Sequence, residues 1–509
     1  MMRKRQFLIN ALMSVVQVVV TGVVFFVLYR FVKDTIGIEY LGVWSLVLAT
    51  TSASSIADLG LANSTVKYVS MYLARERTDR VAQIVQTATV SLGVVLGVVL
   101  VALYPLLETI IAFFVEPAYL QDALEILPYA LVSFWLNSTA GAVQGCIDGY
   151  QRIDLRSIVY SASVLVYLIA ALILVPKNGL VGLAQAQVLQ AGLLLIASWL
   201  LLRHLLPALP FLPHRWRRDV FREMLAYSLQ FQVISFSKLL FEPLTKSLVM
   251  RFGGAATSGY FEFAYRMVVQ LRALIVTAHQ SIVPTIADLQ ERQPELIQDI
   301  YRTSSRLILY LILAALPFGL AVTPLISRVW IGSYEATFVL FANLIFVGWF
   351  LNMIGNPAYF AYLGIGKLRW NVASHLVIGL LNGGLGVVLG WLYRGTGVVV
   401  GFVVALVIGS LMIAVAYQRE YGIPVRDLVQ RETILLGLAG FGAMTLALFL
   451  YDQVAASWSL VGQIALVVGS YLVVVAGPLW LHPARQQLQH WLTGLLLRRS
   501  SEATLPESE

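Results

Sequence analysis

Residues 224–284 read MLAYSLQFQVISFSKLLFEPLTKSLVMRFGGAATSGYFEFAYRMVVQLRALIVTAHQSIVP, two long apolar helices joined by a turn at Gly253-Gly254. The first helix carries Lys238, Glu242 and Lys246 at every fourth position, so all three share one face. The second repeats the spacing with Glu262, Arg266 and Gln270, while Arg272 falls on another face. A charge near the middle of a bilayer costs roughly 2.5–3.5 kcal/mol on insertion scales, so such a side chain needs a partner or a water-filled cavity. The stretch therefore predicts a polar pathway through a helical bundle. The plainer reading is a ladder of i,i+4 ion pairs, although Glu242 alone cannot neutralise both Lys238 and Lys246.

Composition extends this reading to the whole chain. Of 509 residues, 59% are hydrophobic and 12% charged, against about 25% charged in soluble domains. Apolar runs long enough to span a bilayer fall at 7–31, 41–62, 83–115, 123–146, 157–176, 179–202, 224–250, 258–284, 304–331, 336–364, 371–393, 397–418, 433–451 and 458–481. The expectation is an all-α polytopic membrane protein of about fourteen helices. In the second run, Asp58-Leu59-Gly60 marks an expected break. Arg3-Lys4-Arg5 resembles the start of a signal peptide, but the apolar run after it is too long, so it reads as a retained first span.

The formal charge of +8 could indicate nucleic acid; its placement points instead to a membrane. With the N-terminus cytoplasmic, 24 of the 35 Lys and Arg fall at cytoplasmic ends and loops and 6 on the opposite side. This satisfies the positive-inside rule and puts both termini in the cytoplasm.

The one long connection, 203–223, holds Pro207, Pro210 and Pro213 and the basic run His214-Arg215-Trp216-Arg217-Arg218. It divides the chain into an N-lobe, 1–205, a linker, 206–222, and a C-lobe, 223–420. Residues 421–482 add two helices, and 483–509 form an amphipathic cytoplasmic tail. The lobes read as repeats. Phe134-Trp135-Leu136-Asn137, Gly149 and Arg152 match Trp349-Phe350-Leu351-Asn352, Gly364 and Lys367 at an offset of 215. Gly37 and Gly42-Val43-Trp44 match Gly254 and Gly259-Tyr260-Phe261 at 217. Equivalent elements lie six helices apart, so the repeats are parallel, related about the membrane normal.

Several chemistries find no residues here. There is no phosphate-binding Gly-rich loop with Lys-Ser or Lys-Thr, no pair of His at zinc-ligand spacing, and no loop large enough for a soluble catalytic domain. The single Cys146 reads as a buried thiol. The expectation is a protein that is not an enzyme and holds neither metal nor cofactor.

The basic start, Gly37-Ile38-Glu39-Tyr40-Leu41-Gly42-Val43-Trp44, Ala57-Asp58-Leu59-Gly60-Leu61, Ala74-Arg75-Glu76-Arg77 and Gly259-Tyr260-Phe261-Glu262-Phe263-Ala264-Tyr265-Arg266 together resemble bacterial polysaccharide-export proteins, the oligosaccharide flippase branch of the MOP transporter superfamily. The resemblance implies two six-helix lobes around a central cavity. It also implies transfer of undecaprenyl-pyrophosphate-linked glycan across the bacterial inner membrane, beside a polysaccharide polymerase and assembly proteins. Fourteen spans rather than twelve match the lipid II and sporulation branches, which keeps a lipid II-type flippase open as the alternative.

The residues reach a compatible reading on their own. Lys67, Lys238, Lys246, Arg266 and Arg272 outnumber Asp58, Glu242 and Glu262 in the core, and a cationic cavity suits a diphosphate. Lys238 lies about 14 residues, ~21 Å, into its helix from Met224, and Arg272 reaches a similar depth in the antiparallel neighbour. These five cations are the expected substrate contacts. Asp58, Glu242 and Glu262 are the expected sites of coupling to a proton or sodium gradient. A multidrug antiporter would favour an acidic cavity, and a polymerase a large periplasmic loop.

Overall fold

The computed structural model describes residues 4–52, 61–225, 241–280, 282–454 and 457–486. Asp58, Lys238, the Asp58-Leu59-Gly60 break and the tail beyond residue 486 lie outside the described residues. Those described form helices and turns, with no strand among them. The helices are α1 Lys4–Ile36, α2 Ile38–Ser52, α3 Leu61–Ala74, α4 Thr78–Ser91, α5 Gly97–Phe114, α6 Pro117–Gly149, α7 Ile153–Leu205, α8 Glu242–Gln280, α9 Ile282–Arg292, α10 Ile297–Ile326, α11 Ala336–Asn352, α12 Asn356–Ile365, α13 Arg369–Glu420, α14 Arg431–Val454 and α15 Leu460–Leu481.

Among the described residues nine helical stretches are long and apolar enough to cross a membrane. Two of these, α7 with 53 residues and α13 with 52, would be about 80 Å long if straight, far more than a bilayer core of about 30 Å. Each turns back at a left-handed residue. In α7 it is Gly179, at φ 56° and ψ −132°; in α13 it is Arg394, at φ 55° and ψ −144°. After the turns the chain packs on itself. A methyl group added at Gly182 would overlap the carbonyl oxygen of Leu174, and one at Gly397 that of Leu389. Each helix therefore holds two of the apolar runs. In α8, Gly254 at φ 83° makes the corresponding turn between the runs at 224–250 and 258–284.

The repeat is written into the backbone as well as the sequence. Gly179 and Arg394 differ by 215 positions, Gln151 and Gly366 by 215, and Gly37 and Gly254 by 217, and all six have positive φ. Close packing recurs at the same offsets. A side chain at Gly149 would press on Val69, and one at Gly364 on Ile286, which is Val69 plus 217.

The chain forms two compact units, Met1–Leu274 with His375–Phe402, and Ile275–Ser374 with Val403–Glu509. In the first, α6 and α7 pack side by side, α1 lies along α7, and α3 lies along α6. In the second, α14 and α15 form a hairpin against α10, burying Leu436, Ala443, Ala447 and Tyr471 around Tyr310 and Ala321. A separate cluster around Tyr301, Tyr362 and Tyr417 joins α10, α12 and α13. The side chain of Asn137 bonds within its own helix to the Ser133 carbonyl, 2.9 Å away. That of Asn352 bonds across to Ser410 Oγ.

Candidate functional site

Within the first unit, α2 and the second half of α8 cross at two glycines, each against the backbone of the other helix. A methyl at Gly42 would overlap the carbonyl oxygen of Ala255, and a methyl at Gly259 would overlap that of Ile38. These contacts are reciprocal, since 42 and 259 are equivalent in the repeat, as are 38 and 255. A pseudo-two-fold axis therefore passes through the crossing. Small residues let the backbones approach this closely, which is how helices gain dispersion contacts where lipid offers no hydrophobic drive.

Beside the crossing sits an ionic cluster with a buried centre, Glu262 and Lys246, and partly exposed outer members, Glu242 and Arg266. Glu262 is 2% exposed and Lys246 4%. Lys246 Nζ lies 2.8 Å from Glu262 Oε2 and 2.7 Å from Glu242 Oε1. Arg266 Nη2 lies 3.0 Å from Glu262 Oε1. Two hydroxyls complete the carboxylate's shell: Tyr29 Oη donates to Oε1 and Ser45 Oγ to Oε2, each at 2.7 Å. Arg266 also donates through Nε to Tyr29 Oη at 3.1 Å, and its guanidinium lies 4.8 Å from the centre of the Phe25 ring. Tyr265 Oη donates to Glu242 at 3.1 Å. A buried carboxylate with two cations and two hydroxyl donors has every lone pair engaged, which is the condition under which a charge is tolerated away from water.

The sequence-expected residues separate into groups. Glu242, Lys246, Glu262 and Arg266 come together, and both i,i+4 pairs of the ladder form. Two acids and two bases leave that group without net charge. Arg272, six positions further along α8 or roughly 9 Å, is half-buried. Lys67 is exposed on α3, its Nζ 5.3 Å from the centre of the ring of its neighbour Tyr68. The expected cationic excess thus rests on Lys67, Arg272 and Lys238 against Asp58.

Tyr29 and Ser45 were not singled out in the sequence, yet a signal for them was present. Tyr29 is Lys246 minus 217, and Ser45 is Glu262 minus 217. The carboxylate, its lysine and their two repeat equivalents all meet at the axis.

At the Gly179 and Gly254 turns acidic side chains lie near the glycine. Glu116 Oε1 stands against Gly254, in the space that a side chain at this positive-φ position would take. Glu108 and Glu125 line one open cleft with Tyr104, and Glu125 and Asp122 another with Tyr40 and Asn178.

A sequence model of the family described as polysaccharide biosynthesis protein matches residues 4–290. No curated protein matches the chain. Among solved structures, the lipid II flippase MurJ in an inward closed conformation superposes with a TM-score of 0.66 at 13% identity, covering 92% of this chain and 98% of that one. An inward-facing multidrug resistance MATE family transporter of the MOP superfamily gives 0.66 at 15% identity, over 79% of this chain and 94% of its own. The Vibrio cholerae MATE transporter VcmN, in a point-mutant form, gives 0.55 at 14%, over 84% and 98%. The chain belongs to the polysaccharide biosynthesis protein family and has the all-helical, multi-pass membrane fold of the MOP transporters.

Proposed function

We propose that this protein is a flippase that carries an undecaprenyl-pyrophosphate-linked oligosaccharide from the cytoplasmic to the periplasmic leaflet of a bacterial inner membrane, by alternating access, for surface polysaccharide synthesis. On this reading residues 1–205 and 223–420 are the moving lobes, 206–222 joins them, 421–482 adds two spans, and both termini are cytoplasmic. The protein itself catalyses no covalent step and needs no cofactor beyond an ion gradient. A polymerase and assembly proteins take over the product.

The observation that carries the reading is the balanced ionic cluster at the pseudo-two-fold crossing. A contact between two equivalent helix pairs that is held by one carboxylate shared between two cations can be opened in two ways. A proton or ion can take the place of a partner, or a second anion can compete for Lys246 and Arg266. A diphosphate is such an anion, and arginine and lysine bind it strongly at low dielectric. Lys238 and Arg272 receive the diphosphate first, Lys67 adds positive charge, and Lys246 and Arg266 take it over as Glu262 is displaced. Glu262, Glu242 and Asp58 couple that exchange to protons or sodium. The lipid tail stays in the bilayer throughout.

A lipid II-type precursor is the second reading, favoured because the likeness to the lipid II flippase runs over 92% of the chain and that to the MATE transporter over 79%. Vesicles carrying fluorescent lipid-linked oligosaccharide or lipid II separate the two. Lys238→Ala and Arg272→Ala are expected to abolish flipping at unchanged membrane abundance, and Arg272→Lys to retain part of it, since the charge stays and the forked donor is lost. Normal flipping by both alanine variants would place the site elsewhere. Movement of organic cations with neither lipid crossing would make the protein an antiporter.

A further inference from the structure

Residues 206–217 have no regular secondary structure, yet they are fastened at both ends. Trp199 Nε1 on α7 donates to the Phe211 carbonyl at 2.8 Å, and Arg203 lies over the Phe211 ring at 5.1 Å. At the other end, the backbone N–H groups of Arg215 and Arg217 donate to Gln86 and Thr87 on α4, each at 3.3 Å. Trp216 Nε1 donates to Ser91 Oγ at 3.0 Å. Leu206 and Leu209 are buried beneath. A segment needed only to connect two spans gains nothing from this fixation, which opposes the entropy of a free loop.

What the fixation presents outward is an apolar edge beside a basic one. Phe211 is 67% exposed, Leu212 69% and Trp216 47%. Their level can be read from the anchors. Ser91 ends α4, whose buried face carries polar Gln86, Thr87 and Thr89; directly after it Val94, Val98 and Val101 form an exposed, wholly apolar stripe. Trp199 likewise adjoins the exposed apolar stripe Leu189, Leu193, Ile196 and Leu200 of α7. Both tryptophan bonds therefore hold the strap where lipid-facing surface begins, the level at which indole rings concentrate. Arg215, Arg218 and Arg222 are exposed next to it and hold no ion pair among the described residues, while Arg217 is tied to Asp219.

We infer that residues 211–222 are a fixed seat for anionic phospholipid of the adjoining leaflet, with Phe211, Leu212 and Trp216 submerged at the acyl boundary and Arg215, Arg218 and Arg222 on the headgroup phosphates. Charge complementarity selects the occupant, because each exposed arginine at such a surface favours anionic lipid by about fivefold. The inference stands independently of what the protein transports.

The test uses the full-length protein in vesicles containing phosphatidylcholine or phosphatidylglycerol brominated in the acyl chains. The contribution of Trp216 to fluorescence is taken as the difference from Trp216→Phe. Both lipids are expected to quench it, phosphatidylglycerol more strongly at equal mole fraction. That preference should fall severalfold in high salt, a comparison needing no charge variant, and again in Arg215→Gln/Arg218→Gln. No quenching by either lipid would put the strap in water and overturn the seat. Equal quenching by both would reduce it to an apolar contact. Displacement of brominated phosphatidylglycerol by a trace of undecaprenyl phosphate would make it a substrate-lipid site instead.

Discussion

Ser45 and Glu262 occupy the same position in two copies of one helix pair, and they are hydrogen-bonded to each other: Ser45 Oγ donates to Glu262 Oε2 at 2.7 Å. The repeat thus places a neutral hydroxyl opposite a carboxylate, and the asymmetry continues with Tyr29 opposite Lys246. Helices α1 and α2 supply the hydroxyl donors and α8 the charges, so the network is complete only where these three helices meet.

Removing the charge at its centre should be costly. Glu262→Gln leaves Lys246 with Glu242 and leaves Arg266 with the Tyr29 hydroxyl and two rings. Breaking a buried pair from one side typically costs 3–5 kcal/mol, whereas Ser45→Ala removes one hydrogen bond worth about 1 kcal/mol. Thermal unfolding in detergent should rank the two in that order, and Lys246→Met should recover part of the Glu262→Gln loss. Equal effects from both single variants would refute the buried-charge account.

The glycine crossing predicts a matched pair of effects. Gly42→Ala and Gly259→Ala each drive a methyl into a backbone carbonyl that no rotamer change can relieve. Both should lose roughly 1–3 kcal/mol of stability, to similar extents. Gly141→Ala on α6, where nothing lies within 4 Å of the added methyl, should be neutral or gain up to about 1 kcal/mol. Comparing expression and melting temperature of the three checks the reciprocity directly.

Arg394 adopts the backbone conformation that its repeat equivalent meets with Gly179. A non-glycine residue there stores of order 1–3 kcal/mol, against a glycine entropy cost of roughly 0.5–1 kcal/mol. Arg394→Gly should therefore raise the melting temperature and Gly179→Ala lower it. A drop on Arg394→Gly would show that the side chain is worth more than the strain.

The distribution of Lys and Arg makes its own prediction for orientation. Reporter fusions at Lys177 and Arg394 should read periplasmic and one at Arg217 cytoplasmic. The reverse pattern would invert the map and with it the proposed direction of transport.

The strap's own ion pair sets an expectation for pH. The Arg217 guanidinium, with Arg80 behind it, holds the Asp219 carboxyl down at about 2. An unfolded aspartate titrates near 3.9. The folded value is the lower one, so the pair's contribution is complete above that range and is lost only as pH falls towards 2. Amide exchange in residues 215–220 should stay constant between about pH 5 and 8, once corrected for the intrinsic rate, and protection lost within that window would mean that another group holds the strap.

The sequence by itself determined the helical class, the apolar runs, the turn at Gly254, the gap between the runs 157–176 and 179–202, and the repeat offsets of 215 and 217. Each follows from local rules: runs long enough to span, residues that tolerate positive φ, and spacings that repeat. It also put Glu242 with Lys246 and Glu262 with Arg266, because four residues bring side chains onto one helix face. What faces that face was decided only by the tertiary structure. Periodicity orients a side chain about its own axis and says nothing of the helix that packs against it. Tyr29 and Ser45 reach Glu262 from 233 and 217 positions away, contacts that exist only once α1 and α2 pack against α8. The strap's fixation has the same cause: Pro-rich sequence marked a loop, and the tryptophan bonds that hold it to α4 and α7 depend on surfaces formed by folding.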